Sequence, residues 1–165
     1  MATRIALVAT LALTSAATAD VVRRSDLGAW ETAAYLLLFS VLFLLRVVGQ
    51  LLVVLRAPAW LPPMHQWHLM PYQLLLPIQI AFLALMALIE VSLFRAWGPL
   101  AEAHPAFGRF LIGFSFVYAG TMALRYAVRM YRRPGERWFG GAIPIVFHLV
   151  LAAFLFTWGK YHVSG

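Results

Sequence analysis

Two histidines three residues apart, His65 and His68, lie in the segment PPMHQWHLMPYQ between two long apolar stretches. On a helix that spacing places both imidazoles on one face, where a metal could use them. Zinc or iron normally takes three or four ligands, often with a carboxylate among them. No Asp or Glu lies near His65, and Pro62, Pro63 and Pro71 oppose a regular helix of any length. No metal is therefore assigned. The segment reads as an interfacial cap in which Trp67 and Tyr72 anchor His65 and His68 at a membrane surface. A haem between helices would need a second axial ligand for His148, from His65, His68 or Met70. Haem stays open as an alternative.

The other candidates are polar residues inside apolar stretches, where an ionisable group costs about 2.5–3.5 kcal/mol and is a functional candidate by default. They are Arg46, Gln50, Gln79, Arg125 and His148. Counted from the loop ends at 1.5 Å per residue, Gln50, Gln79, Arg125 and His148 all fall roughly 7–11 Å below one face. That face also carries the HQWH segment, so one polar layer is expected beneath the cap. Arg46 shares a helix face with Gln50, four residues on, and is expected to reach toward the layer. Glu90 lies near the opposite end of its stretch, roughly 13 Å in depth from Arg46, too far for a comfortable pair.

The elements that must position these residues are membrane helices. The chain has 165 residues, 63% hydrophobic and only 12% charged, with a mean hydropathy of +0.82. Soluble domains carry about 25% charge. Apolar runs near twenty residues, continuous rather than alternating, specify helices and not barrel strands. Four spans are expected, near 33–55, 74–94, 110–130 and 141–158, forming an all-α polytopic four-helix bundle. Residues 1–19 read as a signal peptide: Arg4 precedes an apolar run, and Ala17-Thr18-Ala19 has a small-x-small form. The run to Ala19 makes roughly 22 Å of helix, short of a hydrocarbon core of about 30 Å. Residues 20–165 would then be one transmembrane domain.

The formal charge of +7 does not indicate nucleic acid, because the arginines sit at the ends of apolar stretches. Without cysteine, disulfides, thiolate metal sites and a cysteine nucleophile are excluded. The loop bearing Arg129, Arg132, Arg133 and Arg137 is expected in the cytoplasm. Total charge does not decide it, with five basic residues on each side once residues 1–19 are removed.

Ser40, Ser92, Ser115 and Thr121 have no histidine–carboxylate pair at matching depth, and no G-x-S-x-G occurs. Gly113 and Gly120, seven apart, could allow close helix packing. Donors and cations without an inner carboxylate base suggest binding rather than turnover. The expectation is a bacterial inner-membrane accessory or anchor subunit whose pocket takes a quinone or lipid head group. Its partners would be lipids and other membrane subunits. The alternatives are a small membrane enzyme acting on a lipid or isoprenoid, and a haem-binding redox protein.

Overall fold

The computed structural model describes residues 2–56, 58–59, 61, 72–132 and 142–165. They form five helices: α1 (Ala2–Arg23), α2 (Ala29–Arg56), α3 (Tyr72–Phe94), α4 (Pro105–Arg132) and α5 (Ala142–Ser164). All five are long and apolar enough to cross a membrane. The expected spans correspond to α2 to α5, each running a few residues further at one or both ends.

Local chemistry sets those ends. The Glu31 carboxylate reaches back to the Gly28 N–H at 3.3 Å, half of a capping box that starts α2. Pro105 opens α4, where its missing N–H costs nothing. At the end of α3, Trp97 N–H bonds Ser92 O and Ala96 N–H bonds Leu93 O, at 3.0 and 3.1 Å. This is a Schellman closure, and it places Ala96 at φ +47°, a conformation that glycine adopts more easily.

The segment expected to be a leader is α1, and it continues past Ala19 to Arg23. Its 22 residues make roughly 33 Å of helix, enough to span. Thr10, Thr14 and Thr18 each bond the carbonyl four residues back, so their hydroxyls are satisfied within the helix. The far end is tied down from outside. Lys160 Nζ donates to the carbonyls of Val21, Val22 and Arg24, a cation closing a helix C-terminus. Asp20 accepts from Tyr35 Oη and Arg24, and Arg24 also pairs with Glu31 at 2.9 Å. Leu7, Ala17 and Val21 are buried.

α5 is the central helix, packing against α4, α2 and α1, while α3 packs on α2. Among the described residues the α3 backbone does not come close to that of α4 or α5, with no Cα pair within 8 Å. The bundle is therefore a curved row, α3–α2–α5–α4, with α1 lying against α5. One side of the row is open between α3 and α4. The outer surface carries many exposed apolar side chains, such as Ile80, Leu88, Phe110 and Val117, as a hydrocarbon environment requires.

The tightest crossing joins α4 to α5. A Cβ on Gly108 would meet Gly159 O at 2.6 Å, and one on Gly159 would meet Gly108 O at 2.9 Å. Gly113 and Gly120 have open space around them instead, so the close-packing role expected of them belongs to Gly108 and Gly159.

Candidate functional site

Gln50 and Gln79, on α2 and α3, meet inside the protein. Gln79 Nε2 donates to Gln50 Oε1 at 3.0 Å, and the residues are 3% and 1% exposed respectively. Both amides are half-satisfied: Gln50 Nε2 and Gln79 Oε1 are buried without a partner. Such groups are costly in an apolar interior and are uncommon without a reason.

Arg46, one turn before Gln50, is 6% exposed and lies between two phenylalanines. Its guanidinium carbon is 6.0 Å from the Phe43 ring centroid and 5.9 Å from that of Phe147. Rings at that distance favour a desolvated cation. His148 on α5 sits 5.7 Å, centroid to centroid, from Tyr118 on α4, with Nδ1 buried and unpartnered. Of the five expected pocket residues, Arg46, Gln79 and His148 share one cavity and Gln50 bonds Gln79, on α2, α3 and α5.

That neighbourhood forms the polar end of a groove on the open side of the row. The groove encloses about 350 Å³ and is walled by all four helices. Arg46, Gln79 and His148 line it directly, with Tyr118 beside them. Gln50 bonds Gln79 from outside the lining, and Arg125 does not line the groove. The rest of the wall is almost wholly apolar, from Leu75 past Phe82 and Leu85 to Ile89 on α3, and to Trp158 on α5. From His148 to Trp158 is ten residues, roughly 15 Å of helix. One polar end and one long apolar track make an amphipathic site open to the bilayer.

The sequence reading missed Tyr118 and Trp158 as wall residues. Trp158 ends its expected span, where an interfacial anchor is the simpler explanation, and Tyr118 lies mid-span, where nothing in the spacing shows which face of α4 it occupies. His65, Trp67 and His68 lie outside the described residues, as does the Tyr72 side chain, although the backbone at Tyr72 opens α3.

Two further polar contacts lie away from the groove's polar end. Glu90 is buried and accepts a hydrogen bond from Ser40 Oγ across α2 and α3. A neutral serine thus meets this carboxylate, as the depth argument against Arg46 requires. At the opposite end of α5, His162 is 1% exposed and enclosed by Phe107, Trp158 and Tyr161. The His104 backbone N–H lies 3.2 Å from His162 Nδ1, and Nε2 is buried without a partner. His148 and His162 are fourteen residues apart on one helix, roughly 21 Å, and cannot share an ion. Among the described residues, no three His, Cys, Asp or Glu converge.

Comparison with known proteins does not add to this geometry: no family model, curated protein or solved structure matches the chain.

Proposed function

We propose that this chain is a small integral membrane protein that binds one amphipathic molecule, a quinone or a lipid, in the groove between α3 and α4. The head group lies against Arg46, Gln79 and His148, and the hydrocarbon chain runs toward Trp158. The observation that carries this reading is the coincidence of buried, half-satisfied amides with the end of a long apolar groove. A head group there would give Gln79 Oε1 a hydrogen-bond partner, and the apolar wall would hold a chain that water cannot solvate. Access is sideways from the lipid, because α3 and α4 leave that side open.

The biological form that fits is an accessory or anchor subunit of a complex in a bacterial inner membrane. Binding groups are present at the polar end, and α3 leaves most of its surface free for a neighbour. No specific observation favours turnover of the ligand.

Groove filling tests the reading. Leu85 lines the groove and is exposed, whereas Leu88 is equally exposed on the same helix outside it. Leu85→Trp should reduce the amphiphile recovered with the purified protein by at least about tenfold, the loss expected from one blocked contact surface. Leu88→Trp should leave it unchanged. Equal recovery from both variants would overturn the proposal.

A further inference from the structure

The amide pair at the polar end of the groove bears on what the head group is. A carboxamide carries an acceptor and a donor at opposite corners, and a half-turn about its last bond exchanges them. In the observed setting Gln79 donates to Gln50, leaving Gln79 Oε1 as the unpartnered corner of the residue that lines the groove. If both amides turn together, the bond re-forms with Gln50 Nε2 donating to Gln79 Oε1. The free corner of Gln79 then becomes an N–H, and no hydrogen bond is lost. His148 can make the same exchange by moving its proton between ring nitrogens.

We infer that the site accepts both members of a hydroxyl/carbonyl couple on a ring, a quinol and its quinone, with nearly equal affinity. The inference rests on the groove holding an amphiphile, as proposed above. A quinol hydroxyl donates to Gln79 Oε1 in one setting, and a quinone carbonyl accepts from Gln79 Nε2 in the other. The aromatic side chain of Tyr118 beside His148 supplies a wall for the flat ring. A phosphate head group presents only acceptors at neutral pH and would use one setting alone.

The test uses the full chain in nanodiscs of phosphatidylcholine under anaerobic conditions, with decyl-tailed benzoquinol and benzoquinone as probes. Binding is followed by quenching of tryptophan fluorescence. Wild-type dissociation constants should agree within about threefold, less than one hydrogen bond is worth. Gln50→Glu separates the two forms. In alkaline buffer, with Arg46 one turn away, the new carboxyl is held as the carboxylate, which can only accept, so it holds Gln79 Nε2 and leaves Oε1 free. Quinol binding should persist while quinone binding weakens about tenfold. Gln50→Leu frees the Gln79 amide to turn and should keep the wild-type ratio. The wild-type ratio needs no variant, so the inference stays testable if Gln50→Glu does not fold. A wild-type preference above about tenfold, or an unchanged ratio in folded Gln50→Glu, overturns it. If wild type binds neither probe but carries a phospholipid that Leu85→Trp releases, the groove reading stands and this inference falls. If wild type holds no amphiphile of any kind, both fall.

Discussion

Gln50 and Gln79 were legible as partners because depth in a membrane helix is a matter of counting, and both lie five residues in from loops on the same side. Counting gives depth but not azimuth. It therefore placed Arg125 and His148 in one layer without showing that only His148 lines the groove. The amide pair makes a direct prediction. Gln50→Leu or Gln79→Leu alone leaves a buried amide with no partner and should cost about 1–3 kcal/mol. The double variant should cost less than the sum, with a coupling of about 0.6 kcal/mol, typical of interhelical bonds in membranes. Unfolding in mixed detergent micelles measures this, and strict additivity would mean that the bond contributes nothing. The Ser40–Glu90 contact, which the sequence did not suggest, is a second case. Ser40→Ala removes the donor from a buried carboxylate and should destabilise by about 1–3 kcal/mol by the same assay. If Ser40→Ala is as stable as wild type, Glu90 does not depend on that bond.

For whole helices, hydropathy located α2 to α5 to within a few residues, since hydrocarbon thickness fixes their length. It did not show which face of α4 meets α5. Gly113 and Gly120 drew attention through their spacing along one helix. The close approach is made instead by Gly108 and Gly159, which only the fold brings together. Gly108→Leu or Gly159→Leu should therefore separate α4 from α5 and destabilise the protein by several kcal/mol, whereas Gly113→Ala and Gly120→Ala should be close to neutral. A thermal shift of the same size in all four would show that the crossing is not where the structure has it. The turn after α3 offers a gain. Ala96 pays for a left-handed conformation, about 1 kcal/mol, that Ala96→Gly would remove. A higher melting temperature is the expected result, and a lower one would contradict the Schellman closure.

At the scale of the molecule, composition settled an all-α chain with membrane-spanning helices but not their number or arrangement. Residues 1–19 were too short, counted alone, to cross a bilayer. The structure carries the helix on through Asp20 to Arg23, where Lys160, Tyr35 and Glu31 secure its polar end. Contacts between distant parts of the chain lengthened the helix, and no local signal could have shown them. Cleavage after Ala19 would strip α1 from α5 and expose the face that it covers. We propose that residues 1–19 are retained: an intact mass of the membrane-purified protein should include them, and a mass lacking them would bear out the leader instead. A retained α1 also adds Arg4 to the side holding Arg56, Arg129, Arg132, Arg133 and Arg137, six basic residues against Arg23, Arg24, Arg95, Arg109 and Lys160. With α1 retained, that majority would favour a cytoplasmic side for the polar end of the groove. The open side of the row is the feature on which the functional account depends, and photo-crosslinking probes it in place. Phe82 lines the groove, while Ile80, two residues away, is exposed outside it. With p-benzoylphenylalanine at position 82, irradiation of membranes should give one adduct of defined mass, and at position 80 a mixture that mirrors bulk lipid. The same mixture at both positions would contradict a specific amphiphile in the groove.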